Sequence, residues 1–120
     1  RVPDTHLLHI ERYGMMRAWS AFHHEYPVLL SPTWAQPAFA HGADLDPETG
    51  IDLMTDTIRP VLAANLLGTP AAIVRGGVVD GLPVGVQVLG DRYADRRCLT
   101  VAAEIEALVG AVTPIDPVTG

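Results

Sequence analysis

The side chains able to do covalent or acid–base chemistry are few in this chain of 120 residues: two serines, Ser20 and Ser31, one cysteine, Cys98, and five histidines, His6, His9, His23, His24 and His41. All eight basic residues are arginines (Arg1, Arg12, Arg17, Arg59, Arg75, Arg92, Arg96 and Arg97), so no lysine is present to form a Schiff base or to act as base for a serine nucleophile. Neither serine has a nucleophile's setting. Ser31 lacks the Gly-x-Ser-x-Gly elbow, and Ser20 falls in a helical stretch, where a hydroxyl bonds to backbone. His6 and His9 are three apart, and His23 and His24 close the same stretch with Glu11 and Glu25 near. A zinc site needs three or four ligands, and no HExxH or CxxC accompanies these, so they read as solvated residues and no metal or cofactor is expected. His41 reads as a surface residue. Cys98 reads as a small buried hydrophobe, and a single cysteine forms no internal disulfide, which fits a reducing, cytoplasmic compartment. Gly76-Gly77 and the pair Gly81 and Gly85 are turn and strand glycines, because no GxGxxG or GxxxxGK pattern makes a phosphate cradle of them.

Charge and hydropathy narrow the function classes. Fourteen acidic against eight basic residues give a net charge of −6, which excludes electrostatic binding of nucleic acid as the main activity. No apolar run reaches the length of a membrane span, so no membrane partner is expected. Hydrophobic residues make up 48% and charged residues 18%, more apolar surface than one small domain is able to cover by itself.

The elements that must position these residues follow from periodicity. Met15, Trp19, Phe22 and Tyr26 recur at spacings of four, three and four, predicting a helix from Asp4 to Phe22, capped by Asp4 or Thr5 and stopped by Pro27. Val28-Leu29-Leu30, bounded by Pro27 and Pro32, predicts a buried strand with neighbours on both sides. Residues 33–50 form a long flexible loop carrying Trp34 and Phe39, which either line an apolar pocket or pin the loop to the body. Helical spacing returns from Asp52 to Leu67, with Pro60 expected to open a second, shorter helix that ends near Gly68-Thr69-Pro70. Ala71–Val79 and Pro83–Leu89 predict a hairpin about Asp80-Gly81-Leu82. Asp95 is expected to cap a last helix closed by Gly110, and residues 111–120, with Pro114 and Pro117, form a tail strapped to the surface. The inventory is an α/β segment of three strands and three helices without an internal boundary. Strands apolar on both faces belong in a wider sheet covered by helices on both sides, and the rest of that sheet lies outside this sequence.

Three stretches resemble the C-terminal part of the amidase signature family. They are Tyr26-Pro27-Val28-Leu29-Leu30-Ser31-Pro32-Thr33, Asn65-Leu66-Leu67-Gly68-Thr69-Pro70-Ala71, and Asp80-Gly81-Leu82-Pro83-Val84-Gly85-Val86-Gln87-Val88-Leu89-Gly90. The resemblance runs over residues 26–109. It departs at Ser31, where threonine is usual, and at Arg75, where proline is common. It implies the C-terminal portion of an α/β/α fold with a large mixed sheet, and hydrolysis of a carbon–nitrogen amide bond by a serine nucleophile, a bridging serine and a lysine base, through an acyl-enzyme resolved by water. None of those three residues is placed in this chain, so no catalytic residue is expected here. Because the loop follows the end of a buried strand, Ser31, Thr33, Trp34 and Phe39, together with Asn65, are the candidate substrate-binding residues. The expected partners are a small-molecule amide and the remainder of the fold, or a second copy of the chain. The alternatives are a glutamine-hydrolysing amidotransferase subunit of the same family and a non-catalytic dimerisation module.

Overall fold

A computed structural model describes residues 2–110, with side chains from Asp4 onward. The expected tail at 111–120 lies outside the described residues. The elements run α1 (Val2–Glu25), β1 (Val28–Pro32), a 3-10 turn (Ala43–Leu45), α2 (Gly50–Leu67), β2 (Ala71–Val79), β3 (Leu82–Gly90) and α3 (Asp95–Val109). The three strands form an antiparallel sheet in the order β1-β3-β2. Strand β3 is central, with Ser31 and Ile73 both opposite Gln87.

The hairpin closes as expected, but on two residues rather than three. Asp80 and Gly81 take positive φ angles of 50° and 80°, and Leu82 already pairs with Val79. This is the backbone twist that a tight antiparallel connection requires, and an Asp-Gly pair supplies it at low cost.

Several expectations are corrected. Helix α1 begins before Asp4, which lies in its first turn instead of capping it. Of the expected face, Met15 and Phe22 on α1 and Tyr26 just beyond its end are exposed and Trp19 is half-buried, while the buried residue of α1 is His23, whose Nδ1 donates to the Tyr26 carbonyl at 3.0 Å. Helix α2 continues through Pro60 without a break. Proline removes the N–H that the Asp56 carbonyl would receive, and half-buried Pro60 instead presents its own carbonyl to Gln87 Nε2 at 2.8 Å. Ala94, not Asp95, holds the cap position of α3, with no side-chain bond there. The expected three strands are present; among the described residues they pair antiparallel, with β1 paired on one side only.

The core lies on one face of the sheet. Ala72, Val74 and Val88 pack against Cys98 and Ala102 of α3, with Val28, Val86, Val101 and Ile105 around them. Small residues let helix and strands approach closely, and every such contact excludes water. Helix α1, about 36 Å long by its rise per residue, touches the remainder chiefly through α2. The radius of gyration is accordingly 17.6 Å, against roughly 14 Å for a compact chain of this length.

Candidate functional site

Strand β1 ends on Pro32, and its pairing with β3 runs one residue further, the Thr33 N–H donating to the Gly85 carbonyl at 3.0 Å. Glycine at position 85 admits so close a neighbour: a Cβ there would stand 2.7 Å from Thr33 Oγ1 and 3.4 Å from Ile73 Cγ2. Residues 33–38 then form a wall above the hairpin. Between them lies a groove of about 680 Å³, lined on one side by Pro32 to Ala38 and on the other by Ile73, Gly76, Val79 and Pro83 to Val86. Its size falls within the range of small-molecule pockets, and its lining is mostly aliphatic and aromatic.

The wall is tied to α2 through Thr57, which is fully buried. The Ala35 N–H donates to the Thr57 carbonyl at 3.0 Å, Gln36 Nε2 donates to Thr57 Oγ1, and Thr57 Oγ1 in turn donates to the Leu53 carbonyl at 2.7 Å. Trp34 stacks on Phe39 with centroids 5.9 Å apart and planes 11° apart, which braces the wall from its far end. Beneath the wall Gln87, 1% exposed, directs Nε2 at Ser31 Oγ (2.8 Å), the Pro60 carbonyl (2.8 Å) and the Pro32 carbonyl (3.2 Å). One polar atom in this region is left over. Thr33 Oγ1 is buried and has no hydrogen-bond partner, although a buried hydroxyl ordinarily finds one.

The titratable groups with displaced pKa values lie elsewhere. Burial, then the nearby Asp95 carboxylate, pushes the Cys98 thiol up, so it is a packed side chain and not a nucleophile. The Ser20 hydroxyl, donating to Asp91 Oδ2 at 2.7 Å, holds the Asp91 carboxyl below its usual range. Backbone N–H groups of Thr49 and Glu48, each 2.9 Å from Asp46 Oδ1, hold Asp46 down and form the turn that leads into α2. A second concavity is lined by Asp91, Arg92, Tyr93, Ala94, Arg96, Arg97 and Thr100. Its guanidinium groups are exposed, Arg92 lies over the Tyr93 ring at 5.2 Å, and Asp91 offsets part of the positive charge. Among the described residues no group of three His, Cys, Asp or Glu is placed to hold a metal.

The structure brings Thr33 and Trp34 into the groove, puts Phe39 behind Trp34, and sets Ser31 beneath the wall in contact with Gln87. Asn65 is exposed on the last turn of α2 and does not line the groove. Sequence reasoning passed over Gln87, Thr57 and Gln36. For Gln87 a signal existed: one amide in an otherwise apolar strand must be hydrogen-bonded if that strand is buried. Thr57 and Gln36 carry no such signal, since their partners are distant in sequence.

Known proteins resemble this chain in sequence and in fold. Residues 6–99 match the sequence profile of the family described as Amidase. An indoleacetamide hydrolase of Bradyrhizobium japonicum is 37% identical over 102 residues, which is 84% of this chain and 22% of the relative. A fatty acid amide hydrolase of Arabidopsis thaliana is 42% identical over 84 residues, 68% of this chain and 14% of the relative. Among solved structures, a glutamyl-tRNA(Gln) amidotransferase subunit of Thermotoga maritima superposes with a TM-score of 0.68 at 36% identity, covering 82% of this chain and 21% of that one. The chain thus spans about a fifth of the length of the first of these relatives, and it shares the α/β fold of the solved structure. With its own hairpin, strand-to-loop junction and sheet register inside the matched region, the chain belongs to the Amidase family.

Proposed function

We propose that this chain is the C-terminal portion of an amidase that hydrolyses a carbon–nitrogen amide bond to a carboxylate and ammonia or an amine, with the Ser-Ser-Lys set supplied by polypeptide outside these 120 residues. The absence of lysine and the unsuited surroundings of both serines require that division of labour. In this reading the groove between residues 33–38 and the hairpin receives the apolar part of the amide substrate. Thr33 and Trp34 face it, Phe39 braces it and Ser31 supports it from below, while Asn65, exposed on the last turn of α2, lies outside it. The observation that carries the reading is the aliphatic and aromatic groove holding a single buried, unpartnered hydroxyl, that of Thr33. Amide hydrolysis by the full-length protein, measured with indole-3-acetamide, tests it. Trp34→Ala is expected to raise KM about tenfold, the scale of a lost aromatic contact, and unchanged turnover in both Trp34→Ala and Phe39→Ala removes the groove from the substrate site.

The similarity to glutamyl-tRNA(Gln) amidotransferase favours a second reading, a glutamine-hydrolysing subunit that works with partner subunits. Ammonia release from glutamine but not from indole-3-acetamide selects it. The apolar groove lining favours the first. The exposed apolar side chains of α1 and of the open sheet support docking on the remainder of the amidase, a function a non-catalytic dimerisation module would instead assign to a second copy. A cytoplasmic setting fits the single buried thiol.

A further inference from the structure

Gln87 is a buried polar side chain on the central strand, and the substrate-binding reading leaves it without a role. It joins three separate pieces of the molecule. Its amide nitrogen meets Ser31 Oγ and the Pro32 carbonyl at the exit of β1, where the groove wall begins, and the Pro60 carbonyl in the middle of α2. The wall's other tie to α2 is Thr57, three residues before Pro60 and therefore close to it along the helix. The wall is thus fastened at its root by Gln87 and along its length by Thr57, both against the same turn of α2. Ser31 takes part passively: its hydroxyl accepts from Gln87 and donates onward to the Pro32 carbonyl at 3.2 Å.

We infer that Gln87 is a positioning residue for the amide substrate. By bridging the end of β1 to α2 it sets the height of the residue 33–38 wall above the hairpin, and so the width of the groove. The inference rests on the reading of the groove as the substrate site. An amide suits this task where an acid or a hydrocarbon does not. All three neighbours are acceptors toward it, so the side chain must donate, and its NH₂ group carries two protons with no charge to desolvate. Loss of those protons removes the link that runs from Ser31 and Pro32 at the wall's root through Gln87 to the Pro60 carbonyl of α2, and the wall is then free to lift.

The experiment uses the full-length protein with Gln87→Leu, Gln87→Glu and Trp34→Ala, steady-state hydrolysis of indole-3-acetamide, and amide hydrogen exchange of the peptide spanning residues 31–40. Gln87→Leu is expected to raise KM about tenfold with kcat changed less than twofold, the scale of a lost net hydrogen bond, and to speed exchange in residues 33–38. Gln87→Glu supplies a readout that simple packing damage would not move. Protonated, its carboxyl retains one O–H donor; ionised, it has none and faces carbonyl oxygens. Burial raises the pKa of such a carboxyl, so its KM is expected near the wild-type value at mildly acid pH, climbing toward that of Gln87→Leu as pH rises. Should Gln87→Leu fail to fold, the pH profile of Gln87→Glu decides alone. A raised KM in Trp34→Ala with unchanged KM and unchanged exchange in the Gln87 variants overturns the inference and leaves the groove as the substrate site. An unchanged KM in Trp34→Ala overturns the groove reading and with it the role of Gln87 toward substrate.

Discussion

On the α3 side of the sheet, Ala72, Val74 and Val88 meet Cys98 and Ala102 in a closed, small-residue core. On the opposite side Ile73 is 62% exposed, and along α1 Leu7, Leu8, Ile10 and Tyr13 are each more than half exposed. Both regions carry apolar side chains, but their fastenings differ. The first is held by side-chain packing. The second is attached by single polar contacts, Arg12 Nε donating to the Leu66 carbonyl at 2.6 Å and Ser20 to Asp91. An isolated hydrogen bond contributes only about 0.5–1.5 kcal/mol net, so α1 is positioned by these contacts without being buried by them. Packing that is complete inside the 120 residues marks what this segment builds for itself, and the apolar surface held by polar tethers is the surface that the proposed remainder of the amidase would cover.

The largest test of that contrast places a charge in each region. Val88→Asp buries an unpaired carboxylate in the closed core and is expected to cost about 4 kcal/mol or more, enough to abolish soluble expression of both the 120-residue chain and the full-length protein. Leu8→Asp is expected to behave oppositely in the two contexts. In the full-length protein it loses about 2 kcal/mol, the burial of one leucine side chain, read from chemical denaturation. In the 120-residue chain it loses nothing and reduces self-association in light scattering. A clean monomer for the unaltered 120-residue chain would contradict the claim that this surface is unfinished.

Smaller effects sharpen the comparison. Because burial raises the Cys98 pKa, folding favours its neutral thiol. The contribution is fully present below the thiol's unfolded pKa and is lost as pH rises through the higher folded value. Stability is therefore expected to decline on the alkaline side, and the decline should vanish in Cys98→Ala; thiol labelling at neutral pH should track unfolding. Asp91 runs the other way. Its pKa is lowered chiefly by Ser20, so its contribution is present above the unfolded carboxylate value and disappears as pH falls through the lower folded one. Ser20→Ala is expected to cost about 0.5 kcal/mol near neutral pH, to make the acid limb of the stability profile slightly shallower, and to loosen α1 in hydrogen exchange without disturbing α3.

Much of the molecule was legible from local chemistry. Asp80-Gly81 specifies a tight hairpin because its backbone angles are a property of those two residues, and the exit of α2 at Gly68 is similarly local, with the Gly68 and Thr69 N–H groups both on the Ala64 carbonyl. The loop carrying Trp34 was recognisable as the candidate site from its place after a strand. Pro60 misled because whether a proline opens a helix or is carried inside one is settled by the packing of that helix, and His23 misled because its burial depends on what α1 lies against. Within the site, Thr33, Trp34 and Phe39 were recognisable by residue type and proximity. Gln87 was not, since it works through Ser31, 56 residues away, and Pro60, 27 residues away.

The sequence by itself determined the family through its three motifs, the order of strands and helices through periodicity and turn chemistry, and the absence of a catalytic base through the missing lysine. Those are properties of residue types and short spacings, set within a few bonds of each other. Only the tertiary structure decided that the residue 33–38 wall stands over the hairpin, that Gly85 makes room for Thr33, and that Gln87 and Thr57 fasten that wall to α2. Such contacts join residues far apart in sequence, and which acceptor a buried amide finds is settled by how the elements pack, not by the residues beside it in the chain.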